Sequence, residues 1–205
     1  LDYSRLQEYN DLVNSLRVCD PAVGSGHFLV SALDELIAVK SDLGILCDRQ
    51  GRRLRDVRAV VGNDELILTD AETDRPLEYR PGVVESQRIQ EALFHEKQTL
   101  IENCLFGVDI NPKSVMICQL RLWIELLKNA YFTSLPSKGG GEAPALGPLE
   151  TLPNIDINIK CGNSLIGPDF YDQGQLGFFD EEERYRINVF DWTTEFAAIM
   201  KSGGF

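Results

Sequence analysis

A glycine turn between an apolar strand and an apolar helix constrains this chain more than any other feature. The turn spans residues 19–26, which read CDPAVGSG, and it follows a short apolar segment that contains Leu16 and Val18. Glycines let the backbone pass close to a ligand, and the free N–H groups at the start of a helix attract an anion. The pattern therefore predicts a turn that holds a nucleotide-like ligand. Because it reads Gly-x-Gly with no third glycine, it does not fit the dinucleotide fingerprint.

Two further apolar segments predict strands that end in polar residues. Residues 105–110 predict a buried strand that ends at Asp109, and residues 155–161 predict a strand that ends at the sequence GNSL. Helical periodicity is present at 1–15, 26–40, 85–103, 112–131 and 180–201. Alternating strands and helices predict an α/β fold with a mostly parallel sheet and helices on both faces. Ligands bind beyond the carboxyl ends of such strands, so the three strand ends should meet at one edge.

The length of 205 residues predicts one domain, residues 1–205. Two segments of this domain depart from a minimal strand–helix–strand pattern. Residues 41–84 are interpreted as an insertion with a small hairpin, in which Glu65–Thr69 pairs with Pro76–Tyr79. Residues 133–152, which are rich in glycine and proline, are interpreted as a flexible loop. The apolar residues around the helix at 112–131 predict that most of its surface is buried.

Charge and cysteine content narrow the functional classes. The net charge of −12 counts against the chain being a main DNA-binding surface, because affinity for duplex DNA comes largely from Lys and Arg. The arginine cluster at 49–58 is either a solvated loop or a contact with the DNA backbone.

Five scattered cysteines indicate reduced thiols in a cytoplasmic protein, with no disulfide framework and no metal site. No apolar run is long enough to span a membrane.

The three strand ends carry the groups that a nucleoside ligand requires. A carboxylate at the second strand end can accept hydrogen bonds from both ribose hydroxyls, and a side-chain amide at the third can bind the adenine edge. The glycine turn leaves room for a charged amino-acid end. Two other interpretations stay open: Asp109 caps the following helix, or Asn163 is only a turn residue, because Gly-Asn is common in turns.

The glycine turn closely resembles motif I of the amino-group DNA methyltransferases, which reads Asp-Pro-Ala-Cys/Val-Gly-Ser-Gly-x-Phe-Leu. The matching positions are Asp20, Pro21, Ala22, Gly24, Ser25, Gly26, Phe28 and Leu29. Residues 105–112 resemble motif II, and residues 161–165 resemble motif III. The resemblance is to the N6-adenine DNA methyltransferases of restriction-modification systems. It implies an incomplete Rossmann-like, S-adenosylmethionine-dependent methyltransferase fold.

The resemblance also implies roles for individual residues toward the cofactor, S-adenosyl-L-methionine. Asp109 would bind the ribose, Asn163 would bind the adenine amino group, and Phe28 and Ile110 would line the adenosine pocket. The methionine part would face Asp20, Ala22 and Gly24. The complete predicted cofactor site is Asp20, Pro21, Ala22, Gly24, Ser25, Gly26, Phe28, Asp109, Ile110, Asn163, Ser164 and Leu165.

The family's catalytic motif, Asn/Asp-Pro-Pro-Tyr/Phe, has no counterpart in this chain, which contains no Pro-Pro pair. In the family this motif holds the target amino group and stacks on a flipped adenine. We therefore expect a fragment that carries no catalytic residue and is inactive alone. Its parent would methylate double-stranded DNA through parts outside this chain; the sequence predicts no oligomeric state.

Three other functions stay open. An RNA or protein-glutamine methyltransferase shares these motifs, and a non-catalytic S-adenosylmethionine-binding module would need nothing more. An NAD-binding oxidoreductase has the same fold class, but the missing third glycine and the position of Asp109 disfavour it. Between Gly26 and Asp109 there are 82 residues, whereas one strand–helix–strand unit needs roughly 30.

Overall fold

The fold alternates strands and helices in a computed structural model that describes residues 3–134, 146–150, 157–170 and 181–205. The helices are α1 (Tyr3–Asn14), α2 (His27–Asp42), α3 (Val84–Asn103), α4 (Pro112–Leu127), α5 (Glu181–Ile187), α6 (Trp192–Glu195) and α7 (Ala197–Lys201). The strands are β1 (Val18–Asp20), β2 (Val57–Gly62), β3 (Glu65–Asp70), β4 (Leu105–Asp109), β5 (Tyr131–Ser134), β6 (Leu146–Glu150) and β7 (Asn158–Cys161).

A parallel sheet of order β1-β4-β7 forms the centre of the described structure. In its register Asp20 lies opposite Gly107, and Asp109 lies opposite Cys161. Successive residues of β4 face opposite sides, as strand geometry requires: Leu105 enters one core, and Phe106 and Val108 enter another. The predicted α/β class is confirmed, because helices cover both faces of a parallel sheet.

The two cores differ in size and in the elements that build them. The larger core packs the apolar faces of α2, α3 and α4 on the sheet, and includes Leu29, Leu33, Leu93, Leu100 and Leu122. The smaller core lies under the C-terminal helices and includes Phe106, Val108, Phe190 and Phe196. The C-terminal segment therefore covers the sheet face that the first four helices leave free.

A hairpin lies within residues 41–84, and one of its two strands was not predicted. Glu65–Asp70 is a strand, and it pairs in antiparallel fashion with Val57–Gly62. Asn63 and Asp64 join the strands with φ of 53° and 60°, which is the left-handed backbone of a two-residue hairpin turn. Pro76 forms only a single bridge, with Thr69. Leu77 N also donates to the oxygen of Leu68 at 2.9 Å. The predicted pairing of Glu65–Thr69 with Pro76–Tyr79 is therefore present in part, on the other edge of β3, and β2 is an additional strand that was not predicted.

Two helical predictions also differ from the structure. The predicted helix at 180–201 is three short helices, and Asn188, with φ of 47°, lies at the break. Helix α4 buries one stripe of residues and exposes another, so the prediction that most of its surface is buried was wrong. A helix has one face toward the sheet it packs on, and the apolar residues outside that face remain exposed. The exposed apolar residues of α4 are Met116, Ile117, Leu120, Trp123, Ile124 and Leu127.

Strands occupy both ends of the predicted loop at 133–152. β5 and β6 pair in antiparallel fashion, with an irregularity between Phe132 and Ser134. The rest of that loop, residues 135–145 and 151–152, lies outside the described residues. Across the described helices, none has the length and apolar content needed to cross a membrane.

Buried charges join α2, α3 and α4. Asp34 is 2% exposed, and its Oδ1 has no hydrogen-bond partner among the described residues. Lys97 Nζ donates to the backbone oxygen of Glu125 at 3.2 Å and lies 3.6 Å from Glu125 Oε2. Burial raises the pKa of Asp34 to about 6, and the charge of Lys97 opposes this shift. The folded state therefore holds a proton on Asp34 that the unfolded state releases more easily.

We expect Asp34→Asn to flatten the pH dependence of stability. The pKa of Asp34 is about 6 in the folded chain, whereas an unfolded chain would have a value of about 3.9. Ionisation of Asp34 therefore lowers the free energy of unfolding as the pH rises from about 4 through about 6. The substitution should raise the free energy of unfolding at pH 8 by roughly 1–3 kcal/mol, and by about 1 kcal/mol less at pH 5. Urea unfolding at both pH values measures this. Glu35→Gln, on an exposed neighbour, is the control; an equal gain at both pH values would contradict the prediction.

Candidate functional site

The glycine turn after β1 folds over the end of β4. Gly24 and Gly26 have φ of 53° and 83°, in the left-handed region that favours glycine. Asp20 Oδ1 accepts a hydrogen bond from the backbone N–H of Ala22 at 3.0 Å. The backbone N–H of Val23 donates to the oxygen of Val108 at 2.9 Å. These contacts fix the path of the turn across the carboxyl ends of two neighbouring strands.

Asp109 ties the turn to the second strand end. Its Oδ2 accepts a hydrogen bond from the backbone N–H of Gly24 at 2.9 Å, and its Oδ1 accepts one from Asn111 N at 2.7 Å. Each carboxylate oxygen can accept two hydrogen bonds, so both keep the capacity to accept another. The N-cap of α4 is Asn111, whose Oδ1 accepts from Lys113 N at 3.0 Å. Asp109 is therefore not the helix cap, which was one of the open interpretations.

Two glycines allow close packing behind the turn. A Cβ at Gly26 would lie 2.6 Å from Cys118 Sγ, and one at Gly107 would lie 2.8 Å from Val23 Cγ2. Burial raises the pKa of the Cys118 thiol to about 11, with a further contribution from the Asp20 carboxylate, so this thiol is neutral at pH 7. Gly107 and Cys118 were not among the residues predicted for the site. The glycine two residues before Asp109 is a signal that could have identified Gly107.

We expect Gly107→Ala to destabilise the fold by about 1–3 kcal/mol, because the new methyl group overpacks against Val23 and Ile159. Denaturant unfolding measures the loss. Val23→Ala removes Val23 Cγ2, the atom nearest to the new methyl group, so the double variant should lose less than the sum of the two single losses. Strictly additive losses would show that the contact with Val23 is not the cause.

The third strand end packs against the C-terminal segment. The backbone N–H of Gly162 donates to the oxygen of Asp109 at 2.9 Å, and Trp192 Nε1 donates to the oxygen of Ser164 at 3.1 Å. Asn163 Oδ1 accepts a hydrogen bond from the backbone N–H of Leu165 at 3.2 Å. The Asn163 side chain therefore stabilises its own turn, and its predicted contact with adenine remains a prediction.

Apolar side chains are exposed at all three strand ends. Phe28 is 55% exposed, Ile110 is 48% exposed and Leu165 is 91% exposed. Pro21 and Ala22 are also exposed, while Asp20, Gly24, Ser25, Asp109, Asn163 and Ser164 are half-buried and Gly26 is buried. Because the three strands are adjacent and parallel, all twelve predicted residues lie at one edge of the sheet.

The arginine cluster lies away from this edge. The arginine cluster follows the C-terminal end of α2, whereas the glycine turn precedes the N-terminal end of the same helix. Because α2 has 16 residues, its two ends lie roughly 24 Å apart. Within the cluster, Arg52 forms an ion pair with Asp48 at 2.8 Å, and Arg58 lies 3.9 Å from Asp74. These arginines therefore have carboxylate partners within the chain, as the solvated-loop interpretation expects.

Comparisons with known proteins relate this chain to restriction-modification methylases. The family model of the Eco57I restriction-modification methylases matches residues 103–205. A relative from Methanocaldococcus jannaschii, which carries the provisional name of type II restriction enzyme and methyltransferase, is 34% identical over 162 residues. The aligned region covers 79% of this chain but 10% of the relative. No solved structure matches the chain. The family match covers half of the chain and includes the second and third strand ends, so the chain belongs to the Eco57I restriction-modification methylase family.

Proposed function

We propose that this chain is the S-adenosyl-L-methionine-binding part of a DNA methyltransferase that methylates N6 of adenine in double-stranded DNA. The observation that carries the proposal is the hydrogen bond between Asp109 Oδ2 and the Gly24 backbone, which joins two of the three motif-bearing strand ends. Family membership supports methyl transfer as the reaction class. The cofactor, the adenine and the duplex DNA are the parts that experiment has to test.

The residues at the sheet edge fit the chemistry of the cofactor. Asp109 has one backbone hydrogen bond on each carboxylate oxygen, which leaves both oxygens able to accept one ribose hydroxyl. Gly24 has open space where a side chain would begin, since the nearest atom to an added Cβ is 3.9 Å away. The exposed side chains of Phe28, Ile110 and Leu165 supply apolar surface for an adenine ring.

The role of this chain is to bind and orient, because the sulfonium of the bound cofactor is itself the activated methyl donor. Asp109 holds the ribose and keeps the glycine turn in its binding conformation. Asp20, at the end of β1, faces the positively charged methionine end. With the cofactor bound, these residues would orient its methyl group, and alignment of this kind lowers the barrier because the reactants no longer have to find the reactive geometry.

The first experiment is a calorimetric titration of the chain with S-adenosyl-L-methionine, with NAD as the competing ligand. Binding of S-adenosyl-L-methionine with no binding of NAD would support the cofactor assignment. Preference for NAD would contradict it and would favour the oxidoreductase interpretation. The titration also tests the cofactor half of the proposal without requiring catalysis.

The second experiment identifies the methylated substrate with a longer protein that contains this sequence. Duplex DNA, RNA and a glutamine-containing protein are incubated with methyl-labelled S-adenosyl-L-methionine, and the labelled residue is identified by mass spectrometry after digestion. N6-methyladenine in the DNA is the expected product. Label in RNA or protein, or on cytosine in DNA, would overturn the substrate assignment and leave the cofactor assignment standing.

A further inference from the structure

The turn that follows β7 is held from outside by a short piece of the C-terminal region, residues 188–192. The turn comprises residues 163–166, and the backbone N–H of Ile166 donates to the oxygen of Asn163 at 3.1 Å. It carries Asn163 and Leu165, to which the proposed function assigns the adenine end of the cofactor. The contacts that fix this turn therefore bear on which base the cofactor site accepts.

Two backbone hydrogen bonds attach the ends of the turn to the 188–192 segment. The backbone N–H of Asn163 donates to the oxygen of Asn188 at 2.6 Å, and that of Phe190 donates to the oxygen of Ile166 at 2.9 Å. Between these bonds, Asn163 and Val189 form a parallel bridge. Both ends of the turn are thereby fixed to the same short segment.

The side chain of Trp192 contacts the middle of the turn. Its Nε1–H donates to the oxygen of Ser164 at 3.1 Å, and Ser164 lies between Asn163 and Leu165. The centre of the Trp192 ring lies 5.0 Å from that of Phe190 and 5.8 Å from that of Phe196. Phe190 and Phe196 are buried in the smaller core, so the indole that reaches Ser164 is anchored by the core.

The helix that begins at Trp192 is capped by the residue before it. Asp191 Oδ1 accepts hydrogen bonds from the backbone N–H of Thr193 at 2.9 Å and of Thr194 at 3.3 Å. The Thr194 hydroxyl donates to Asp191 Oδ2 at 2.6 Å. A cap of this kind fixes the first turn of a helix, so the position of Trp192 depends on Asp191 as well as on the core.

The conformation of the turn also favours one orientation of the Asn163 amide. The backbone N–H of Leu165 donates to Asn163 Oδ1 at 3.2 Å. Rotation of the amide by half a turn would place its NH₂ group against this N–H, where two donors would meet. Asn163 Oδ1 can accept one more hydrogen bond, and the amino group of adenine is a donor. A base with an oxygen in place of that amino group would offer an acceptor instead.

We propose that the 188–192 segment sets the base selectivity of the cofactor site, and that Trp192 is the positioning residue that fixes the turn at 163–166. This inference rests on the proposed function, because it concerns the adenine end of the same cofactor. Trp192 acts through the Ser164 backbone and not by contact with the cofactor. Without the indole N–H, the turn has more conformations available, and Asn163 Oδ1 is no longer held in one orientation.

The test compares two ligands that differ at the base alone, by calorimetric titration of the 205-residue chain. S-adenosyl-L-homocysteine carries an amino group where S-inosyl-L-homocysteine carries an oxygen. The original chain should bind the adenosyl ligand at least about tenfold more tightly, because the inosyl ligand leaves Asn163 Oδ1 facing an acceptor. Trp192→Phe keeps an aromatic ring and removes the N–H donor. It should weaken the adenosyl ligand by about three- to tenfold and the inosyl ligand much less, so the preference shrinks.

Trp123→Phe is the matched control, because Trp123 is the other tryptophan of the chain and lies on the exposed face of α4. It should leave both affinities unchanged. Asp191→Ala is a second variant, which removes the cap before Trp192 and keeps the indole itself. It should reduce the preference in the same direction as Trp192→Phe. Circular dichroism checks the fold of each variant.

Equal weakening of both ligands by Trp192→Phe would assign the indole to general stability and overturn the inference. An unchanged preference, or an effect of the same size from Trp123→Phe, would overturn it as well. If the original chain binds both ligands equally well, cofactor binding stands and the inference fails. If the original chain binds neither ligand, the proposed function fails, and the inference fails with it.

Discussion

Asp109→Ala is expected to weaken the binding of S-adenosyl-L-methionine by at least about a hundredfold. The substitution removes both acceptors proposed for the ribose hydroxyls, and each hydrogen bond to a charged group contributes roughly 1.5–3 kcal/mol. It also removes the oxygen that accepts from the Gly24 backbone at 2.9 Å, so the glycine turn loses its link to β4. Both effects act on the same ligand and in the same direction. Calorimetric titration of the variant and the original chain measures the loss.

The fold should survive this substitution. Asp109 is half-buried at the edge of the sheet, and the N–H groups of Gly24 and Asn111 that lose their acceptors can bond to water. We expect a loss of about 2 kcal/mol in the free energy of unfolding, which is typical of two hydrogen bonds. Asp42→Ala removes an exposed carboxylate from the C-terminal end of α2 and is the charge-matched control. Binding that is equally weakened by both substitutions, or by neither, would rule out the proposed role of Asp109.

Gly26→Ala is expected to destabilise the fold by about 2–5 kcal/mol and to abolish binding at the glycine turn. The backbone of Gly26 has φ of 83°, where a side chain costs roughly 1–2 kcal/mol. The added Cβ would also lie 2.6 Å from Cys118 Sγ and 3.3 Å from Cys118 Cα, and such overpacking costs about 1–3 kcal/mol. A change of rotamer moves Cys118 Sγ away, but Cys118 Cβ and Cα still lie 3.2 and 3.3 Å from the added Cβ, so a tight contact with α4 remains.

Gly24→Ala is the matched control, since it separates backbone strain from the clash. Gly24 also has positive φ, at 53°, but the nearest atom to an added Cβ is 3.9 Å away. We expect Gly24→Ala to cost only the strain of about 1–2 kcal/mol. Thermal or urea unfolding of both variants gives the comparison. Equal losses would mean that the approach of α4 to the turn does not contribute.

The candidate site was predictable because its signals are local. The residues that form the glycine turn are consecutive, and Asp109 directly ends a run of apolar residues. Strand direction then brings the three strand ends to one edge, because strand–helix–strand connections in one sheet produce parallel neighbours. The close approach of Gly26 to Cys118 was not predictable, since it joins two helices that lie far apart in the sequence.

The prediction missed one strand and misjudged the burial of one helix. The contact of Pro76 with the Glu65–Thr69 strand was predicted, but β2, which pairs with the other edge of that strand through the turn at Asn63 and Asp64, was not. The surface of α4 was expected to be mostly buried because it is apolar, but burial depends on which elements lie beside a helix. Asn and Asp favour the left-handed turn conformation, so the turn at 63–64 carried a local signal, whereas the neighbours of a helix do not follow from residue type.

The sequence by itself determined the α/β class, the three strand ends and the residues placed at their shared edge. Apolar periodicity, glycine conformation and the direction of parallel strands act over short segments or follow a general rule, so they can be read along the chain. Only the tertiary structure decided that Asp109 Oδ2 accepts from the Gly24 backbone, and that Asn111, not Asp109, caps α4. The Asp109–Gly24 contact joins residues 85 positions apart, and packing of the whole domain sets such distances.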